Sequence, residues 1–351
     1  MENIVNTFLK IVQIDSPSGK EELISKYLQA WLTKRKFIIK VDNVGNIYAT
    51  NNKQGKPILF CAHMDTVQPG EGIKPVIKNG VIKSSGKTIL GADNKAALAA
   101  ILTAIETTKP EKNLELLFTV KEETGGGVEF FPFKWIKAKQ GIIFDKSNPL
   151  GGIVLSSPHI CNFHVSIQGK ATHSGTPQNG INAFVPAFKA LSKIKVGLLD
   201  KGKTTINIGV IKGGTGINTV PENIQVAGEI RSYEKILFRK HLEQIKNTFA
   251  IEVKKYQSQY EFYTDGYCAG YSFTQSDAFV KRIVSVYNHL QLPVKYFFRS
   301  GISDANVLNE HQIQTINLTD GAKYPHTKAE QIAVKDLESL SNVIVACIET
   351  F

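Results

Sequence analysis

Helical and strand-like hydrophobic patterns alternate along the first 145 residues. Apolar residues recur at helical spacing over 3–13 and 20–34, and 93–107 is rich in Ala and Leu on several faces, as in a buried helix. Short apolar runs typical of strands lie at 36–42, 46–50, 57–65, 114–120 and 141–145. Strands that alternate with helices predict an α/β fold with a mostly parallel sheet.

The pattern changes near residue 160. Strand-like and helical runs then follow in the order β-α-β-β-α-β, with the last strand predicted at 253–265. The α/β pattern resumes with a helix at 276–290 and continues to the C-terminus. We therefore predict an α/β domain formed by 1–159 and 268–351, with a ferredoxin-like α+β domain inserted at 160–267.

Composition narrows the classes of function. The chain has 351 residues and a formal charge of +11, but its lysines are spread along the sequence and no stacking motif accompanies them, so we expect no nucleic-acid partner. No apolar run approaches the roughly 18 residues of a membrane span, and the N-terminus lacks the pattern of a signal peptide. Four scattered cysteines without a CxxC motif favour reduced thiols in a cytoplasmic protein.

Polar side chains follow three of the predicted strands. The stretch "CAHMDTVQPG" places His63 and Asp65 after an apolar run, Glu122 and Glu123 follow the strand at 114–120, and Asp145 ends the next strand. The carboxyl ends of parallel strands are where sites form in open α/β sheets. We therefore expect these side chains to converge, although each motif alone is common and weak.

Two further residues join this group. Asp93 opens a helix after Gly91, and His326 lies in a loop before the C-terminal helix. So many carboxylates need positive charge between them, and imidazole with carboxylate, without thiolate, suits zinc, cobalt or manganese. Two metals that share one bridging carboxylate would use five ligands and leave two acids for other work.

The joint pattern resembles a known family. The motifs "AHMDTVQPGEGIKP", "ILGADNKAALAAIL", "FTVKEETG", "GKATHSGTPQNGINA", "SGISDANVLN" and "HTKAEQI" resemble those of the dinuclear zinc exopeptidases, which include peptidase T, carboxypeptidase G, aminoacylase and succinyl-diaminopimelate desuccinylase. The similarity covers nearly the whole chain and is greatest to the peptidase T-like, tripeptidase branch.

The resemblance implies a role for each strand-end residue. Asp93 bridges two divalent metals, most often zinc; the other ligands are His63 and Asp145 at one site and Glu123 and His326 at the second. The peptide bond after Asp93 is commonly cis in this family.

Two acids remain outside the metal ligands. The resemblance implies that Glu122 is the general base and that Asp65 orients His63. A carboxylate bonded to a ligating imidazole fixes its tautomer, and a non-ligand Glu beside the metals can accept a proton from the attacking water.

Residues outside the metal cluster are expected to contact the substrate. By resemblance, His173 stabilises the tetrahedral oxyanion, often from a partner subunit. Asn218, Arg231 and Ser303 are further candidates for substrate binding; Arg231 could instead pair structurally on its sheet.

The resemblance implies a cytoplasmic aminopeptidase that acts on short peptides and forms a homodimer through the inserted lid domain. An N-acyl amino acid amidohydrolase, or a dipeptidase or carboxypeptidase of the same fold, remains the alternative, because these enzymes share the metal chemistry and differ in the pocket.

Overall fold

The computed structural model describes residues 3–351 and consists of two compact units. Unit 1 is formed by the described residues up to Leu155, by Phe273–Arg299 and by Ser303–Phe351. Unit 2 is formed by Ser156–Ser272 and Ser300–Ile302.

The helices and strands are numbered in chain order. The helices are α1 (Ile4–Val12), α2 (Glu22–Lys34), α3 (Ala92–Thr108), α4 (Phe184–Leu191), α5 (Lys235–Lys255), α6 (Ala278–His289), α7 (Asp304–Glu310) and α8 (Val334–Thr350). The strands are β1 (Ile38–Val41), β2 (Ile47–Thr50), β3 (Ile58–His63), β4 (Pro75–Lys78), β5 (Val81–Ser84), β6 (Leu114–Thr119), β7 (Gln140–Lys146), β8 (Gly152–Ser157), β9 (His159–Gln168), β10 (Gly197–Leu199), β11 (Thr204–Gly213), β12 (Asn223–Ser232), β13 (Gln259–Cys268), β14 (Tyr271–Ser272), β15 (Lys295–Phe298), β16 (Gln314–Thr319) and β17 (Gln331–Ala333).

The large sheet of unit 1 has a parallel centre. Its strand order is β1-β2-β6-β3-β7-β16-β8, with β15 also paired to β8. The central strands β6, β3, β7 and β16 are parallel, whereas β1, β2 and β8 are antiparallel to their neighbours. Every residue of β3 and β6 is buried, as expected for strands covered on both faces. The predicted α/β class is confirmed.

Helix α3 lies within the core of unit 1. Its residues are buried on several faces, and it packs against α1, α8 and β3. The Ala-rich sequence permits this close packing, because small side chains let helices and strands approach. The N-terminal end of α3 carries Asp93, so the core also fixes one of the candidate metal ligands.

Unit 2 has the predicted ferredoxin-like arrangement. Its antiparallel sheet has the order β10-β11-β12-β9-β13, and α4 and α5 pack against each other and against this sheet. Along β9 and β12, buried apolar residues alternate with more exposed, mostly polar residues, as in a sheet with one face on the core. The short strand β10 extends the four-stranded pattern at one edge.

One predicted element was wrong at its start. Residues 253–258 were expected to begin a strand, but α5 continues to Lys255 and β13 begins only at Gln259. Val253 and Glu252 are buried in the last turn of the helix, so tertiary packing outweighed the local strand-like composition. Strand β8 and the small sheet β17-β5-β4 were not predicted from the sequence.

None of the helices in residues 3–351 has the length and apolar character needed to cross a membrane. All four cysteines are buried, and none of them forms a disulfide.

Candidate metal centre

The candidate ligands meet at one edge of the central sheet. Strand β3 lies between β6 and β7 and is parallel to both, so their carboxyl ends lie side by side. His63 is the last residue of β3 and pairs with Thr119, the last residue of β6. Glu122 and Glu123 follow that end, and Asp145 lies near the end of β7. The expected convergence is therefore present.

Asp93 reaches this edge from a turn before α3. Gly91 has φ +72° and caps the helix; a Cβ there would lie 3.2 Å from Thr66 Cγ2, so both conformation and space favour glycine. The Asp93–Asn94 peptide bond is cis, which confirms the expectation from the family resemblance. Asn94 donates a hydrogen bond to the carbonyl oxygen of Phe144 in β7, which attaches the turn to the sheet.

Asp93 lies between two histidines. Its Oδ1 is 3.2 Å from His63 Nε2, and its Oδ2 is 3.5 Å from His326 Nε2. His326 Nε2 is also 2.8 Å from Glu123 Oε1. The two oxygens of the Asp93 carboxylate therefore face different histidines, Oδ1 facing His63 and Oδ2 facing His326.

Among residues 3–351, overlapping groups of potential ligands lie within 4.8 Å of one another. They are His63–Asp93–Asp145, Asp93–Glu123–His326 and His63–Glu122–Glu123. The first two share Asp93 and contain the residues that the family resemblance assigns to the two sites. The third group contains Glu122 together with His63 of the first group and Glu123 of the second, so Glu122 lies beside both.

The charges of the centre require compensation. Hydrogen bonds to Asp93 and Glu123 raise the pKa of His326 to about 10. Burial lowers the pKa of His63, but its hydrogen bonds to Asp65 and Asp93 hold it well above the ordinary value. Burial, followed by the Asp145 carboxylate, raises the pKa of Glu122. The centre combines imidazole nitrogens with the oxygens of several carboxylates. These ligand atoms and this negative charge suit two divalent cations that share Asp93.

Asp65 holds both His63 and the segment with the two glutamates. It is fully buried; its backbone carbonyl oxygen lies 3.0 Å and its Oδ1 lies 3.3 Å from His63 Nδ1. The same carboxylate accepts hydrogen bonds from the backbone N–H of Glu122 at 3.0 Å and of Glu123 at 3.2 Å, and from Ser18 Oγ at 2.6 Å. With Nδ1 directed at Asp65, Nε2 of His63 remains directed at Asp93.

Side chains from other parts of the chain accept hydrogen bonds from successive backbone amides of the segment that carries the glutamates. The N–H of Val120 donates to Asn46 Oδ1 at 3.0 Å, and the N–H of Lys121 donates to Glu21 Oε1 at 3.1 Å. Asp65 accepts from the next two amides. Asn46 and Glu21 were not predicted from the sequence, because a side chain that accepts a hydrogen bond from a distant backbone amide leaves no local motif.

A cavity of about 300 Å³ opens onto the ligands and is also lined by Arg299. Arg299 Nη1 donates to Asp145 Oδ2 at 2.9 Å, so a cation outside the metal sites already holds one candidate ligand. Arg299 was not predicted from the sequence as a residue of this site. Its place directly before "SGISDAN" was the available signal.

Ser303 lies at the start of α7. It is buried, forms a capping box with Asn306, and its Oγ accepts a hydrogen bond from Asn317 Nδ2 at 3.2 Å. The next residue, Asp304, accepts a hydrogen bond from Thr119 Oγ1 at 2.5 Å. The hydroxyl of Ser303 thus serves the helix start, and its substrate role stays a prediction.

The remaining candidate residues belong to unit 2. His173 pairs with Thr219 in an isolated bridge, and Ser174 N–H donates to the carbonyl oxygen of Asn218 at 2.9 Å, so His173 and Asn218 lie in adjoining loops. Both are exposed. Arg231 donates to both carboxylate oxygens of Glu229, at 2.6 and 2.9 Å, which is the structural pairing considered above. The roles of all three toward a substrate stay predictions.

Comparisons with known proteins identify relatives over the full length. The M20 peptidase dimerisation domain matches residues 156–260. The crystal structure of aminopeptidase PepT from Bacillus cereus is 34% identical, covers 99% of this chain and 98% of that one, and superposes with a TM-score of 0.94. A tripeptidase from Staphylococcus aureus is 29% identical over 99% of this chain and 97% of its own, with a TM-score of 0.90.

A relative without an assigned activity shows the same extent of similarity. The uncharacterised protein YqjE of Bacillus subtilis is 33% identical over 99% of this chain and 98% of its own length. Full-length similarity at this level, with the dimerisation-domain match, agrees with the family predicted from the motifs. The chain belongs to the M20 peptidase family, in its peptidase T-like branch.

Proposed function

We propose that the protein is a two-metal aminopeptidase that releases the N-terminal residue of short peptides, tripeptides above all. The observation that carries this proposal is that two groups of potential metal ligands share Asp93 and that Glu122 lies beside both groups. The similarity to proteins described as an aminopeptidase and a tripeptidase supports the direction of cleavage and the peptide length.

The ligands are assigned as the two groups suggest. His63 and Asp145 complete one site and Glu123 and His326 the other, with Asp93 as the bridge. Zinc is the preferred ion, because imidazole and carboxylate donors suit it. Two divalent cations would supply Lewis acidity, which lowers the pKa of water and polarises a peptide carbonyl.

The side chains of the protein carry the proton transfer. Glu122 is the general base: it takes a proton from the attacking water and returns it to the departing amine. Asp65 holds the Glu122 amide and His63, so it positions base and ligand together. We assign to His173 the stabilisation of the developing oxyanion, and to Asn218, Arg231 and Ser303 contacts with the rest of the peptide.

Unit 2 is proposed to act as a lid and to join two copies in a homodimer. The sheet edge at β10 suits this role: β10 pairs only with Thr204–Ile206 of β11, and the remainder of β11 has no partner on that side within the described chain. Leu198 is 71% exposed there, and Val210 and Ile211 are also exposed. An open apolar edge favours pairing with another strand. A cytoplasmic location is proposed because none of the four cysteines forms a disulfide.

A substrate panel tests the proposed activity. Zinc-loaded protein is given a free tripeptide, a dipeptide, the same tripeptide with a blocked N-terminus, and an N-acetyl amino acid. We expect cleavage of the free tripeptide at its first bond, with the blocked tripeptide spared. Cleavage of the N-acetyl amino acid instead would assign the protein to the deacylases, and release of the C-terminal residue would assign it to the carboxypeptidases.

A further inference from the structure

Glu330 is a buried carboxylate that contacts the Asp93 turn. Its side chain is 1% exposed. Its Oε2 accepts hydrogen bonds from the backbone N–H of Leu90 at 2.8 Å and of Gly91 at 2.7 Å, and its Oε1 accepts from the N–H of Asp93 at 3.0 Å. The amides at the start of a helix have no partner within the helix, so this one carboxylate satisfies the turn that presents Asp93.

The same residue closes the loop that carries His326. The N–H of Glu330 donates to the carbonyl oxygen of Thr327 at 3.0 Å, and Lys323 and Gln331 exchange backbone hydrogen bonds at 2.9 and 3.1 Å. Glu330 therefore belongs to the His326 loop by its backbone and to the Asp93 turn by its side chain. Two segments that are distant in sequence are joined by one side chain.

We propose that Glu330 is a positioning residue that sets Asp93 relative to His326 and so fixes the metal site to which both belong. This inference rests on the proposed two-metal function. Glu330 is not among the groups of potential ligands in residues 3–351, and it acts through the backbone of Asp93. Partners that orient metal ligands typically change metal affinity or activity 10–100-fold when they are removed.

A carboxylate is required at this position because all its partners on the Asp93 turn are donors. Glutamine has nearly the same shape, but its NH₂ group is a donor. In Glu330→Gln, either the amides of Leu90 and Gly91 or the amide of Asp93 would face that group. The substitution thus removes the positioning with little change in volume.

Glu115 offers a matched control within unit 1. It is also a glutamate of 1% exposure, and it accepts hydrogen bonds from the backbone N–H of Lys137 and Ala138 and from the Tyr48 hydroxyl. It lies near the start of β6, whereas the ligands lie at the opposite end of the strand. Glu115→Gln therefore reports the general effect of removing a buried charged acceptor.

The test measures Zn²⁺ affinity of full-length wild type, Glu330→Gln and Glu115→Gln by competition with a chromogenic chelator, below the unfolding temperature of all three. Amide hydrogen exchange of Leu90, Gly91 and Asp93 is followed in the same samples. We expect Glu330→Gln to bind at least one Zn²⁺ about 10–100-fold more weakly and to exchange these amides faster. Glu115→Gln should keep wild-type affinity even if it is less stable.

The remaining outcomes distinguish failure of the positioning role from failure of the proposed activity. Unchanged Zn²⁺ affinity in Glu330→Gln, or an equal loss in Glu115→Gln, would overturn the positioning role. Wild-type protein that binds two Zn²⁺ but leaves all peptides intact would overturn the proposed activity and leave the inference standing. Wild-type protein that binds no divalent cation would overturn both.

Discussion

Replacing Asp65 with asparagine tests how the two halves of the site are held together. The carboxylate of Asp65 contacts His63 and accepts hydrogen bonds from the amides of Glu122 and Glu123 and from Ser18. Asparagine preserves the shape and one oxygen but turns the other acceptor into a donor. Because Asp65 is fully buried, water cannot replace the lost acceptor.

The magnitude follows from the contacts. When the oxygen of the new asparagine occupies the Oδ2 position, it still accepts hydrogen bonds from Ser18 Oγ and from the N–H of Glu123. Its NH₂ group then occupies the Oδ1 position, where it faces the N–H of Glu122 and cannot accept a hydrogen bond from it. A buried donor without an acceptor costs about 1–3 kcal/mol, so the free energy of unfolding should fall by about 2 kcal/mol. Displacement of a reacting group by about 1 Å costs on the order of 10²-fold in rate, so kcat/KM should fall by about that factor.

The assay combines urea unfolding, Zn²⁺ affinity and tripeptide hydrolysis for Asp65→Asn, Ser18→Ala and Glu115→Gln. Ser18→Ala removes one of the hydrogen bonds to Asp65 and should have a smaller effect in the same direction. Glu115→Gln should lose stability without losing affinity or kcat. If Asp65→Asn were destabilised like Glu115→Gln yet retained wild-type Zn²⁺ affinity and kcat/KM, the assigned positioning role would be refuted.

Three other expectations can be checked independently. Removal of divalent cations with a chelator should abolish peptide hydrolysis and lower Tm, and Zn²⁺ should restore both; undiminished hydrolysis by metal-free protein would contradict the metal assignment. Burial raises the pKa of Asp304 to about 7, so the folded state holds this proton more tightly than the unfolded chain; the resulting stability is complete below the ordinary carboxyl pKa and is lost as the pH rises through about 7. Asp304→Asn should therefore reduce the pH dependence of the free energy of unfolding, measured by urea denaturation, by up to about 1.4 kcal/mol per pH unit between about pH 4 and 7. An unchanged slope of this free energy against pH would show that Asp304 does not titrate there. Leu198→Asp, at the open edge of unit 2, should yield monomers in sedimentation velocity, whereas a variant that sediments as wild-type dimer would place the interface elsewhere.

The strand-end residues could be found from the sequence because their signal is local. His63 and Asp145 follow runs of apolar residues that form fully or mostly buried strands, and parallel strands bring such ends together. The family resemblance then supplied the pairing of ligands around Asp93. What the pattern established is therefore the edge of the sheet where the side chains meet.

The supporting residues could not be found in the same way. Glu21, Asn46 and Glu330 act by accepting hydrogen bonds from backbone amides far along the chain, and this depends on the folded path of both segments. Arg299 contacts Asp145 across a sequence separation of 154 residues. The boundary of α5 was missed for a related reason, because burial of Val253 in the unit 2 core outweighed local propensity.

The most direct test of the account compares Glu122→Gln with Glu123→Gln. These neighbours are assigned different tasks: Glu122 moves a proton, and Glu123 holds a cation. Zinc stoichiometry and kcat for a free tripeptide are measured on both variants. Glu122→Gln should keep two Zn²⁺ per chain and lose about 10²–10⁴-fold in kcat, whereas Glu123→Gln should lose one Zn²⁺. A Glu122→Gln variant that binds only one Zn²⁺, or that hydrolyses the tripeptide at the wild-type rate, would contradict the assignment of Glu122 as the general base of a two-metal site.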